Sequence, residues 1–364
     1  MNFYDINEYF SEDYRIFNNE EIDLLSNSER VIIWGAGENG KQIASYLKDM
    51  GIKIDCFVDK QIKRVGTFIN NIKINDINYI NTLNSKNVSV IVGSSAYENE
   101  ILSELNKLKF NGKIFTSNVC SEEIFESTKK DLKLNFDKYN WLYNILEDTL
   151  SKNTLINLLK YRVSLNKSYL KEIYDGIQYF SKDFYNRRID YFVDGGSFDG
   201  DSIRDFIKYE NKQYKKIYAI ETDNENIELL NNFIIKEQLN NIDIFEVALW
   251  NENKELFFDN VGPAAGKVSE VGKSIVNGVR LDDILFDKPI DLIKMDIEGA
   301  ELNALEGAEK IIQQKSPMLA ICVYHKVEDL YTIPHYINKI NNKYKFYLRH
   351  HSRGNGETVL YAVL

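Results

Sequence analysis

The chain is poor in cysteine (3), histidine (4) and proline (4), and each shortage excludes something. Cys56, Cys120 and Cys322 stand isolated in or beside apolar runs, so no disulfide scaffold is expected. They read as reduced, buried thiols of a cytoplasmic protein. With so little proline and only 19 glycines among 364 residues, the chain is neither collagen-like nor a low-complexity linker. Positive charge is also short: 45 Lys+Arg against 55 Asp+Glu leave −10 at pH 7. That balance argues against nucleic acid or an anionic membrane surface as partner. No apolar run approaches the ~18 residues of a membrane span, so none is expected. The acidic start, MNFYDINEYFSEDYR, has no apolar core of the kind a signal peptide carries.

Two stretches of alternating strand and helix patterns remain, separated by helical periodicity. The first has strand-like runs at 30–34, 52–59, 88–92 and 113–116, with helices expected at 40–47 and 99–108. The second has runs at 189–194, 216–221, 243–248, 291–296, 318–324, 344–349 and 357–363. Its helices are expected at 201–209, 224–237, 301–314 and 331–341, and short extra strands at 254–258 and 274–279. Parallel strands need crossover helices, so both stretches predict α/β, Rossmann-like domains. The expected organisation is a small nucleotide-binding domain over 1–120, a helical connector over 121–188 and a larger domain over 189–364. The loop at 350–356 is too short for a crossover helix, so the last two strands should pair antiparallel.

The stretch Tyr191-Phe-Val-Asp194-Gly-Gly-Ser-Phe-Asp-Gly200-Asp-Ser202 is a strand entering a glycine turn and then a helix. Gly195 and Gly196 allow close backbone approach to a ligand, and the helix start offers free N–H groups. Asp194 puts a negative charge at the crevice, which a pyrophosphate would avoid and an α-ammonium would favour. The next strand ends on Glu221, where an acid holds ribose hydroxyls. An ammonium site beside a ribose site describes S-adenosylmethionine (SAM) better than NAD. The plainer reading is a helix cap and a salt bridge. A third signal, Lys294-Met-Asp296-Ile-Glu298-Gly-Ala-Glu301, delivers two carboxylates at the same edge. Glu301 reads equally as an acid in a helix's first turn.

FVDGGSFDGDS, AIETDNENIELL and LIKMDIEGAELNALEGAEKII together resemble the FkbM-type SAM-dependent methyltransferases, over residues 140–364. The resemblance implies a class I methyltransferase fold of seven strands and transfer of methyl to a hydroxyl, often on a sugar or polyketide. It implies a pocket for the methionine end from Asp194, Gly195, Gly196, Ser197, Phe198, Gly200 and Ser202, with Glu221 on the ribose. Glu246, Ala248 and Trp250 would flank adenine, and Gln178 and Tyr179 would close over the cofactor. The insert Gly262-Pro-Ala-Ala-Gly266 departs from the family pattern. A hydroxyl acceptor needs a base, for which Asp296, Glu298 and His325 are the candidates. The carboxylate pair is also compatible with a divalent cation, and no metal ligand set is assigned.

In the front stretch, Gly35-Ala-Gly37-Glu-Asn-Gly40 lies between strand and helix, and Asp59 ends the next strand. Alone this is a dinucleotide fingerprint with its ribose acid. The unit resembles the nucleotide-sugar-binding domains that front bacterial sugar acyltransferases, which implies a nucleotide or nucleotide-sugar ligand at Gly35, Gly37, Gly40 and Asp59. The expected function is therefore O-methylation of a sugar or glycan precursor in polysaccharide biosynthesis, with a small-molecule or glycan acceptor. Self-association is left open. Two rival readings are an NAD(P)-dependent oxidoreductase using the front domain, and a non-catalytic nucleotide-binding scaffold.

Overall fold

A computed structural model of the chain describes residues 3, 6, 10, 13–83, 85–94, 97–116, 122–185, 188–260, 266–269 and 274–364. Cys120 and residues 262–265 of the insert lie outside them. The chain divides into two compact units, one from Ile6–Lys130 with Leu159–Tyr169, the other from Met1–Asp5 with Asp131–Leu158 and Leu170–Leu364. The segment 121–188 is thereby shared out between the two units.

The first unit opens with α1 (Asn19–Ser26), whose start is closed by a capping box between Asn18 and Glu21. Then come β1 (Arg30–Trp34), α2 (Glu38–Asp49), β2 (Cys56–Asp59), β3 (Phe68–Ile69), β4 (Ile72–Asp76), β5 (Val88–Val92), α3 (Glu98–Lys107), β6 (Lys113–Thr116) and α4 (Glu122–Leu134). The sheet order is β3-β4-β2-β1-β5-β6. β1 and β5 are buried nearly throughout, as two-faced parallel strands must be. The β3–β4 hairpin was not expected. Its turn is Asn70-Asn71, both left-handed (φ 48° and 65°), the geometry of a two-residue hairpin without the usual glycine.

Along the chain follow α5 (Phe136–Ile145), α6 (Thr149–Ser164), α7 (Ser168–Ile173), β7 (Tyr191–Gly195), α8 (Asp201–Tyr209), β8 (Lys216–Glu221), α9 (Asn224–Lys236) and β9 (Ile242–Glu246). A side sheet comes next: β10 (Ala248–Leu249), β11 (Lys254–Asn260), β12 (Gly266–Ser269) and β13 (Ser274–Val279), in the order β10-β13-β11-β12. The chain ends with α10 (Leu281–Leu285), β14 (Leu292–Met295), α11 (Glu301–Gly307), α12 (Glu309–Lys315), β15 (Met318–Cys322), α13 (Asp329–Ile340), β16 (Lys345–His350) and β17 (Thr358–Val363).

The main sheet has the order β16-β17-β15-β14-β7-β8-β9, and β17 runs antiparallel to both its neighbours. This is a class I methyltransferase sheet. β7 lies between β14 and β8, where the strand order reverses, so the crevice opens at its carboxyl end. The helix expected over 301–314 is two helices that meet at Ala308 (φ −107°, ψ 9°), next to Gly307, where a Cβ would lie only 2.0 Å from the Trp250 carbonyl. The core beneath the crevice includes Phe180, Phe192, Phe206, Ile217 and Tyr361. Among the described residues, no helix is long and apolar enough to cross a membrane.

Candidate active site

β7 delivers Asp194 and Gly195 to the crevice, and the chain then turns at Gly196 with φ +78°. A Cβ there would lie 1.9 Å from the Asp296 carbonyl, so only glycine lets this turn pass the end of β14. Ser197 is spent inside the turn, its Oγ donating to the Asp194 carbonyl (2.9 Å) and accepting from Ile220 N–H (3.1 Å). Glu221 binds the turn from the side. Its Oε2 accepts from Phe198 N–H (2.8 Å), and its Oε1 from Thr222 and Asp223 N–H (2.7 and 2.9 Å). Glu246 sits opposite Glu221 in the β8–β9 register and is exposed at the lip.

Asp194 does not present a free oxygen. Its side chain is fully buried, with Oδ1 3.0 Å from Lys294 Nζ and Oδ2 accepting from Ser202 Oγ at 2.5 Å. Lys294, opposite it in register, also donates to the carbonyls of Gly196 (2.7 Å) and Gly195 (3.3 Å). Burial works to lower the Lys294 pKa, but Asp194, Asp296 and Asp201 outweigh it and the net shift is upward. This buried pair staples the glycine turn to β14.

The ends of β14 and β15 bring Asp296, Glu298 and His325 together. His325 Nε2 lies 3.5 Å from both Asp296 Oδ1 and Glu298 Oε2, and Nδ1 lies 3.0 Å from Glu301 Oε1. Asp296 accepts from Tyr179 Oη (3.0 Å) and Tyr324 Oη (3.1 Å). Burial alone would raise its pKa, yet Lys294, His325 and the two phenols hold it below the usual carboxylate range. Glu298 is shifted the other way, chiefly by burial, and remains 37% exposed at the crevice. Burial pulls His325 down, but Glu301, Asp296 and Glu298 push it up to about 9. The ring packs against Tyr324 in a tilted arrangement, with centroids 4.1 Å apart and the planes at 36°.

Gln178 donates to Glu357 Oε2, so the segment before β7 joins the loop before β17 at this same edge. Phe198, Glu298, Tyr179 and Glu357 all have positive φ (47°, 56°, 59° and 59°). Such strained non-glycine residues cluster at functional sites. Tyr324 and Glu357 carry no site signal in the sequence, and Glu301 reads there equally as an acid in a helix's first turn. Their roles depend on strand ends meeting in space, for which a sequence pattern has no signal.

Asp199 Oδ1 in the glycine turn and Trp250 Nε1 after β10 are buried polar atoms without hydrogen-bond partners. An oxygen suits an ammonium and an indole N–H suits a ring-nitrogen acceptor, so the residues present fit SAM. Ala248 is buried beside Trp250.

Residues 194–347 match the methyltransferase FkbM domain family. Residues 194–347 are thus an FkbM-type methyltransferase domain. The whole chain is similar in fold to the methyltransferase FkbM of Methylobacillus flagellatus KT, at 20% identity and a TM-score of 0.67, with 99% of this chain and 100% of that one covered. The fibrillarin of Aeropyrum pernix, solved with natively bound SAM, aligns with 48% of this chain and 66% of its own at 10% identity and a TM-score of 0.30. No curated protein matches the chain.

Ahead of the FkbM domain, residues 27–115 match the C2185-like N-terminal domain family. Here Gly35 has φ +112° and Gly37 caps α2 with no side-chain bond, while Gly40 is buried against the Gly35 carbonyl. Asp59 is buried and turned onto the loop, its Oδ2 accepting from Ala36 N–H (2.9 Å) and Arg64 Nη1 (3.2 Å) and its Oδ1 from Gln61 N–H (2.8 Å). Glu38, the acid in the turn, is paired with Lys41. Arg64 is half-exposed above the helix start.

Proposed function

We propose that this methyltransferase is SAM-dependent and methylates a hydroxyl of a sugar or glycan precursor in the cytoplasm. The observation that carries the reading is the convergence of Asp296, Glu298 and His325 beside the 194–202 turn. SAM supplies a methyl carbon on a sulfonium, and an alcohol attacks it well only if its proton is taken. Glu298 suits that proton transfer, because it lies at the crevice and its raised pKa makes it a stronger base than an ordinary carboxylate. Asp296, ionised and held by two phenols, orients the acceptor, and His325 stands between the two carboxylates as a positive partner. Glu298 would take the hydroxyl proton, and bound SAM would supply the methyl group.

For SAM itself the proposed contacts are the backbone of Gly195 to Gly200, Glu221 at the ribose, and Glu246, Ala248 and Trp250 around adenine. Gln178 and Tyr179 form the cover. Asp194 and Ser202 act from beneath the turn. In the front domain, Gly35, Gly37, Gly40 and Asp59 would bind the nucleotide part of a nucleotide-sugar, and Arg64 beside the α2 start supports an anionic ligand there. The test is methyl transfer from labelled SAM to a panel of nucleotide-sugars and free glycans. Glu298→Gln should bind SAM normally in calorimetry and lose about 10²–10⁴ in rate. Turnover at the native rate would put the base elsewhere.

A further inference from the structure

We propose that Asp296, Glu301 and His325 form a binding site for one divalent transition-metal cation, whose catalytic use rests on the hydroxyl-methylation reading above. One ligand atom from each residue lies within 4.8 Å of those of the other two. The three come from separate places: the end of β14, the first turn of α11 and the end of β15.

Glu301 is fully buried. Its Oε1 accepts from Ile297 N–H at 2.9 Å, while its Oε2 is buried with no hydrogen-bond partner. The His325 side chain is 9% exposed, and neither ring nitrogen makes a hydrogen bond of good geometry, although carboxylate oxygens face both at 3.0–3.5 Å. Buried polar atoms are nearly always satisfied, so the unpartnered Glu301 Oε2, beside two ring nitrogens that meet carboxylates only in poor hydrogen-bond geometry, points to a shared partner. Charge points the same way. Asp296, Glu298 and Glu301 surround a single imidazole, and the neighbouring ammonium of Lys294 is already spent on Asp194 and two carbonyls.

Binding would displace the proton that His325 otherwise carries, and an imidazole nitrogen with two carboxylate oxygens then suits Mn²⁺ or Zn²⁺, whereas Ca²⁺ and Mg²⁺ prefer oxygen alone. An acceptor hydroxyl entering an open coordination position would become more acidic, and Glu298 at the rim would take its proton.

The test is titration of the full chain with Mn²⁺, followed by calorimetry and by electron spin-echo detection of ¹⁴N coupling. Saturable binding of one ion per chain with a histidine ¹⁴N signal is expected. His325→Gln should abolish that signal, and Glu301→Gln, which keeps an oxygen for Ile297 N–H, should weaken binding about 10- to 100-fold. No saturable binding of Mn²⁺ or Zn²⁺, or binding unchanged in His325→Gln and Asp296→Asn, overturns the site. SAM calorimetry on the same samples separates the two readings. SAM binding without cation binding overturns the metal site and leaves the methyltransferase reading standing. Cation binding at His325 without SAM binding supports the metal site and removes the methylation reading.

Discussion

Tyr179 holds Asp296 with its hydroxyl at 3.0 Å, while its own backbone N–H donates to the Tyr361 hydroxyl at 2.9 Å. Tyr361 in turn sits 2.9 Å from His351 Nε2, and His351 Nδ1 is 2.9 Å from the Asp175 carbonyl. A carbonyl can only accept, so Nδ1 carries the proton and Nε2 accepts from Tyr361. The carboxylate at the crevice is thus tied to a histidine on the far side of β17.

Removing the first link should be felt at Asp296. Tyr179→Phe deletes a hydrogen bond to a charged group, worth about 1.5–3 kcal/mol. It should raise the Asp296 pKa and loosen the carboxylate that orients the acceptor, so the methylation rate at neutral pH should fall. A native rate would show that Asp296 plays no part in the chemistry.

The last link predicts an acid weakness. Burial holds the His351 pKa below its ordinary value, with the Asp175 carbonyl opposing. The folded state therefore takes up this proton less readily than the unfolded chain. That contribution to stability is present above the unfolded pKa of about 6.5, falls as pH drops through it, and levels off below the folded pKa. Urea unfolding from pH 7.5 to 5 should show a shallower decline for His351→Phe than for the native chain, and parallel declines would contradict the assignment.

Glu221 is expected to serve both fold and ligand. Glu221→Ala leaves the N–H groups of Phe198, Thr222 and Asp223 without their acceptor, so thermal unfolding should come at lower temperature. SAM affinity measured well below that temperature should fall at least about tenfold, the equivalent of 1.4 kcal/mol. Unchanged affinity would remove Glu221 from the ribose.

At Gly196 the expected cost is structural. Gly196→Ala meets both the positive φ and a carbonyl at 1.9 Å, so about 2–5 kcal/mol of stability should be lost, read from denaturant midpoints. A near-native midpoint would mean that β14 can retreat from the turn.

By itself the sequence determined the local part of this protein. β8 and α8 fall where periodicity and end signals put them, and the Asp194–Ser202 turn could be read because glycine and helix-start chemistry act over neighbouring residues. The antiparallel ending followed from a loop too short to cross over. Tertiary structure decided what those residues do. Asp194 looked like a ligand acid, yet the β7–β14 register sets Lys294 against it, and burial makes the pair internal. Tyr324, Glu357 and Glu301 entered the site only because β14, β15 and β17 end at one edge, where side chains far apart in sequence share the same few ångströms. Hydrogen bonds and charge act through those distances, and strand order in space sets them.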